Sequence, residues 1–341
     1  MREKATQQAN TLVVPFMIIF VGAFVLIVMG AVELIEEDCG SEVLVPESSR
    51  SSDCAFLFML SSNAYFPCLC VAVHSLQMTG TQKDIIVFVT PNIWPSVVDA
   101  LGNLNVIITP ITAVKNPNSY VKRNHMRDNF TKLRAWQLTN YQKIVYSDSD
   151  FIYTQNSDDL CYLPADVNAG RNFVSLEGEW TDPDFFNAGF MVITPGTETF
   201  CDMIEASQTF VSPTGGDQPF QNMYWKDKWT ELDYKYDGAN ANIYFTQKEE
   251  WNPKKIRSIH FTRATNPCNH KFERKVRAVW DEFEQNGRPD DHPMVLWLNA
   301  YEALLEEHPQ MQEIFNQCGF MMGWDDGGRA FGAAHSYLGF I

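Results

Sequence analysis

An α/β fold is predicted, with a mostly parallel central sheet, helices on both of its faces, and one membrane-spanning helix ahead of it. Two observations carry this expectation. Between residues 55 and 109, short apolar runs alternate with stretches of helical spacing, in the order strand, helix, strand, helix, strand. Before them, Thr11 to Val32 contains no charged residue, and a bilayer core needs about 20 such positions.

In chain order, Arg2 and Lys4 precede the apolar segment, whereas Glu33, Glu36, Glu37 and Asp38 follow it. The positive flank stays cytoplasmic, so residues 1–10 read as a cytoplasmic tail and the bulk of the chain lies on the lumenal side, a type II topology. A cleaved signal peptide would end in a small-x-small site, and Gly30 to Val32 matches that poorly. Residues 33–53, polar and Ser-rich, read as a short stem. An anchor followed by a stem points to the Golgi or another secretory-pathway membrane. The eight cysteines would then meet a disulfide-permissive environment. Their spacing shows no zinc pattern and leaves the pairing open, with buried free thiols expected among them.

The folded domain is expected over 54–285. Its strands are read at 55–60, 84–90, 105–109, 143–147, 185–195 and 256–262. Helices are read over 65–78, 94–101, 131–141, in "ETFCDMIEAS", and after the Gly-Gly turn of "GGDQPFQNMYW" (215–225). A last helix runs from Met294 to Phe315, with a Gly-rich tail from Gly323, so that 286–341 forms a C-terminal region. The first strand ends in "SSNAY" (61–65) and not in a Gly-x-Gly-x-x-Gly loop, which disfavours a dinucleotide-binding domain.

Lys and Arg total 26 against 42 Asp and Glu, a formal net charge of -16. That balance excludes a nucleic-acid backbone as the main partner. The chemistry concentrates in "KIVYSDSDFIY", where a strand runs directly into Asp148 and Asp150. Residues i and i+2 of an extended chain point to one side, so the two carboxylates repel unless a cation lies between them. A hard divalent cation with oxygen ligands meets that need and could hold the phosphates of a nucleotide. Haloacid-dehalogenase-type phosphatases use a similar Asp-x-Asp-x-Thr/Val at a strand end. Here the fifth position is Ile152 and the motif follows three strands, so that reading stands second.

The ordered set "SSNAY", "VKR", "TKLRAW", "YSDSD", "FFNAGF", "GGDQ" and "HFTRATNPCN", from Phe56 to Asn269, resembles glycosyltransferase family 8, the glycogenin-like retaining enzymes of GT-A fold. The resemblance implies transfer of a hexose or pentose from a UDP-sugar, with manganese, to a glycan, lipid or protein acceptor. It also admits a homodimer. Carried over by position, Ser61, Ser62, Asn63 and Tyr65 would contact the nucleotide, Tyr65 by stacking on the uracil. Arg123 and Lys132 would contact donor sugar or phosphate. Asp148, Asp150 and His260 would bind manganese, with Ser149 between the aspartates. Asn187 and Ala188 would meet the transferred sugar, while Asp217 and Gln218 would face the reacting carbon. The late motif departs from the family's His-x-x-Gly-x-x-Lys-Pro-Trp: Arg263, Asn266 and Cys268 stand at its Gly, Lys and Trp. Arg263 would supply the replacement positive charge for the diphosphate from a nearby position. A non-catalytic nucleotide-sugar-binding relative is the alternative this departure raises. Tyr244 is expected as a core tyrosine, and the sequon "NFT" (129–131) as unused, since a glycan there would abut Lys132.

Overall fold

A computed structural model describes residues 39, 43, 45–118, 128–171, 184–237, 239–240, 244, 251–262, 266–267, 283, 287, 289–324 and 330–334. The 11–32 segment, Arg123 and Arg263 lie outside them. No helix among the described residues is long and apolar enough to cross a membrane.

Four strands form the parallel half of the central sheet: β1 (Cys54–Leu60), β2 (Asp84–Val89), β3 (Ile107–Pro110) and β4 (Lys143–Ser147). The chain continues through β5 (Phe151–Tyr153), β6 (Val167–Arg171), β7 (Phe186–Ile193) and β8 (Thr230–Glu231). The seven-stranded order is β3-β2-β1-β4-β7-β6-β8, with β7 antiparallel to both β4 and β6. β1 shows why the sheet is buried on both sides. Cys54, Phe56, Phe58 and Leu60 enter one apolar cluster and Ala55 and Leu57 the other, the two-residue period of a strand.

Each face carries its helices. On the first lie α1 (Phe66–Met78) and, from the C-terminal region, α6 (Pro293–Glu307) and α7 (Met311–Gln317), with Phe66 meeting Phe315 at a ring separation of 5.7 Å. On the second, α3 (Thr197–Thr209) contributes Phe200, Met203 and Ile204, and α4 (Asp217–Tyr224) contributes Phe220. α2 (Pro95–Leu101) follows β2, and the single turn α5 (Tyr234–Asp237) precedes β9 (Ala239–Asn240). β10 (Ser258–His260) lies between β5 and β9 in a small second sheet, and β11 (Phe320–Trp324) pairs antiparallel with β12 (Ala330–Ala334).

Several expectations need correction. The 131–141 helix is a 3-10 helix over Asn129–Gln137. With three residues per turn, Thr131, Arg134 and Gln137 form one row. Thr131 Oγ1 accepts from the Val114 N–H at 3.0 Å, and Arg134 Nε donates to Thr112 O at 2.6 Å and Nη1 to Gln137 at 2.8 Å. The Thr131 hydroxyl of the sequon is therefore buried. The helix over 294–315 is two helices, because Pro309 cannot continue the first. The Gly-rich tail contains the β11–β12 hairpin.

The stem is also not free-standing. Val43 and Val45 are buried, Ser51 donates from N–H and hydroxyl to Asp84, and the Arg50 guanidinium lies over the Tyr141 ring. Cys39 is disulfide-bonded to Cys201 on α3, and Cys54 to Cys161. Cys68 is bonded too, and Cys70 and Cys318 are the free thiols among the described residues.

Candidate active site

The sheet order places a site before any side chain is considered. β1 is followed by β2 on one side and bordered by β4 on the other, so the strand order reverses between β1 and β4. Loops leaving the carboxyl ends of strands at such a reversal enclose a crevice. The register pairs Leu57 with Tyr146, which sets the 61–65 loop beside the Asp-Ser-Asp turn.

Three backbone links then assemble the cluster. Antiparallel pairing sets Ser147 opposite Phe190, and the Asp148 N–H donates to Gly189 O at 2.8 Å. β10 pairs antiparallel with β5, His260 opposite Phe151. The Phe261 N–H donates to Asp150 O at 2.8 Å. Asp148, Asp150 and His260 consequently converge, each offering a ligand atom within 4.8 Å of the others. His260 Nε2 lies 3.3 Å from Asp150 Oδ1, and its ring stacks on Phe151 at 4.2 Å. Two carboxylates and an imidazole suit a divalent cation of the manganese type. Gly189 is required here: a Cβ on it would meet Asp148 Oδ2 and His260 Cε1, both at 2.7 Å.

A buried ion triad underlies the cluster. Lys132, 5% exposed, donates to Asp148 Oδ1 at 3.2 Å and to Ala188 O at 3.3 Å, and its Nζ lies 3.3 Å from Asp217 Oδ2. Burial alone would lower the Lys132 pKa, but Asp148 and Asp217 together carry it above its ordinary value. One cation shared by two carboxylates leaves Asp217 under-compensated. Burial pushes its pKa up, and Lys132 offsets only part of that. Tyr146 completes the arrangement, its hydroxyl donating to Asp148 Oδ1 at 2.7 Å and its ring facing Lys132 Nζ at 5.2 Å.

The sugar-side residues are pinned by their backbone. Ala188 donates its N–H to Gln218 Oε1 at 3.2 Å, and the Gly189 N–H donates to Asn187 Oδ1 at 2.7 Å. Asn222 accepts from the Phe186 N–H and donates to Phe186 O and Gln218 O, which fastens α4 to the start of β7. On the nucleotide side, Tyr65 is half-buried. Burial, then Asp150 and Asp148, push its phenol up to about 12, so the ring lies within the field of the cluster. Asn63 Oδ1 accepts the Trp94 N–H at 3.0 Å and ties the loop to the start of α2. Ser61, Ser62 and Ser149 are partly exposed around the same edge.

The site residues named from the sequence that are described lie around this cluster. Lys132, expected to contact the donor, has its Nζ directed at Asp148, Asp217 and Ala188 O. It organises the site from below. Tyr146, Gly189 and Asn222 escaped sequence reading. Tyr146 and Asn222 read as ordinary core and helix residues. Gly189, inside the quoted "FFNAGF", was the one legible signal, a glycine within a strand where something approaches closely. Tyr244 is buried against Trp251 and His292, as expected of a core tyrosine.

Residues 56–269 match glycosyl transferase family 8. Among known proteins, the chain is 28% identical over 215 residues to a glycogenin of Neurospora crassa, covering 61% of this chain and 30% of that protein. It is 27% identical over 261 residues to a putative UDP-glucuronate:xylan alpha-glucuronosyltransferase 4 of Arabidopsis thaliana, covering 74% of this chain and 43% of that one. The chain therefore spans less than half the length of either relative. The apo structure of the bifunctional glycosyltransferase WbbM superposes with a TM-score of 0.55 at 16% identity, over 81% of this chain and 53% of that chain. That likeness identifies the fold as GT-A-like.

Proposed function

The chain belongs to glycosyl transferase family 8, and on that premise we propose that it is a retaining, manganese-dependent glycosyltransferase moving a hexose or pentose from a UDP-sugar to a glycan, lipid or protein acceptor. The observation that carries this reading is the convergence of Asp148, Asp150 and His260 at the strand-order reversal, directly above the Lys132–Asp217 pair.

Asp148, Asp150 and His260 would hold the divalent cation, which supplies charge neutralisation for a departing diphosphate. Tyr65 offers its ring to the uracil. Asn187 and Ala188 form the floor under the sugar, held rigid by Gln218 and Lys132, so that orientation carries much of the barrier reduction. The sugar–phosphate C–O bond breaks, and the acceptor oxygen bonds the same face of the anomeric carbon. The acceptor attacks without a covalent enzyme intermediate, and its proton leaves on the departing phosphate oxygen. The phosphatase reading stands behind this one because residues 56–269 match a glycosyltransferase family.

Localisation belongs to the same proposal: residues 11–32 anchor the chain in a secretory-pathway membrane with the domain lumenal. The cystines Cys39–Cys201 and Cys54–Cys161 support an oxidising compartment.

The test is release of UDP from each common UDP-sugar by the purified chain, with manganese or with chelator. Metal-dependent release from one donor, abolished in Asp150→Ala, is the expected result. A chain that binds UDP with manganese but turns over no donor, with or without candidate acceptors, would be the non-catalytic relative.

A further inference from the structure

Each aspartate of the metal cluster has one oxygen fastened from outside the cluster. On Asp148 the fastened atom is Oδ1, which takes the Tyr146 hydroxyl at 2.7 Å and Lys132 Nζ at 3.2 Å. Among the described residues none donates to Oδ2, the atom a Cβ at Gly189 would strike. On Asp150 the fastened atom is Oδ2, which takes Asn266 Nδ2 at 2.6 Å, leaving Oδ1 turned to His260 Nε2 at 3.3 Å. The fastened oxygens are held by amide, phenol and ammonium donors. Of the other two, Asp148 Oδ2 lies against Gly189 and Asp150 Oδ1 against His260.

From this we infer that Tyr146 and Asn266 are positioning residues that choose which oxygen each aspartate presents to a cation: Oδ2 from Asp148 and Oδ1 from Asp150. The inference rests on the metal reading above. Its physical basis is that a carboxylate free to rotate about its terminal torsion offers either oxygen and must lose that freedom on binding. Donors already on one oxygen remove the choice beforehand. Tyr146 suits the task because it is fully buried on β4, two residues before Asp148 and on the same side of the strand, so its phenol cannot swing away. Asn266 does the corresponding work from the segment beyond β10. Within a motif whose counterpart position elsewhere in the family holds Lys, the shorter amide of this chain is spent on Asp150.

The test uses the full chain purified in detergent, titrated with Mn2+ and followed by the electron paramagnetic resonance signal of the free ion. Melting is measured in parallel in chelator. Wild type should bind, and Tyr146→Phe and Asn266→Ala should each bind roughly 10–100-fold more weakly, with melting in chelator close to wild type for Asn266→Ala. Asn266→Ser, which keeps a short donor, should recover part of the loss. If Tyr146→Phe misfolds, as melting in chelator would show, Asn266→Ala and Asn266→Ser decide the matter. Variants that fold and bind Mn2+ as tightly as wild type would overturn the assignment. Wild type that does not bind Mn2+ would overturn the metal reading itself, and the assignment with it.

Discussion

Gly189 and Lys132 show how little freedom the site leaves to single side chains. A methyl group at 189 would meet Asp148 Oδ2 and His260 Cε1, both at 2.7 Å, and Asn187 Oδ1 at 3.0 Å. Gly189→Ala should therefore cost about 1–3 kcal/mol of stability from overpacking and weaken Mn2+ binding, checked by urea unfolding and metal titration. Lys132 stands between two carboxylates, one of them buried. Lys132→Met leaves the Asp217 charge without its partner and should destabilise the fold by about 3–5 kcal/mol. Adding Asp217→Asn to that variant should return part of the loss, because the stranded charge is then gone. An equal loss in the double variant would mean that Lys132 acts through packing alone.

Among the elements, α1 joins the two halves of the first face. Its N-terminus carries Tyr65 to the site, while His74, near its other end, donates from Nε2 to Glu307 Oε2 at the end of α6, 2.8 Å away. The hydrogen bond from His74 holds the Glu307 carboxyl below its ordinary 4.5. A carboxylate whose pKa is depressed by folding contributes stability above its ordinary value and loses it as pH falls through the lowered one. Glu307→Gln should thus flatten the acid limb of stability below pH 4.5, measured as urea midpoints at stepped pH. The effect should shrink in high salt, since Glu307 is exposed. An unchanged acid limb would show that the contact contributes nothing to holding α6 on α1.

For the chain as one body, the residues between the apolar segment and β1 matter more than their composition suggests. Cys39 is bonded to Cys201, and Val43 and Val45 are buried under the second face. A fragment beginning at Ser51 discards all three, whereas one beginning at Glu33 keeps them. The shorter fragment should be less stable by at least about 2–4 kcal/mol, the usual worth of a long-range disulfide, and that part of the difference should vanish in reductant while the share of the two buried valines stays. Equal stability without reductant would mean that the membrane-proximal residues are a tether and no more.

What could be read from the chain alone was whatever has a short-range signature. The strands of the parallel half are uninterrupted apolar runs because both faces are covered. α1, α2 and α3 have helical spacing, and the pair Asp148 and Asp150 declares itself because two carboxylates at a strand end need a counter-charge. The shared motifs placed His260 and Asp217 in the same site before any geometry was known. Folding decided what depends on partners distant in sequence. β6 and β8 are too short or too mixed to announce themselves; β6 exists because β7 reverses direction and offers an edge, and β8 because β6 offers the next one. The 129–137 stretch is 3-10 because its polar row must meet residues 112–114. Lys132 reaches Asp148 and Asp217 because burial makes an ammonium take the acceptors within reach. Tyr146 and Asn266 gain their roles only where β4, β7 and the segment after β10 meet, since hydrogen bonds act over ångströms in space, and of these contacts only Gly189, a glycine inside a strand, leaves a trace in the local residue pattern.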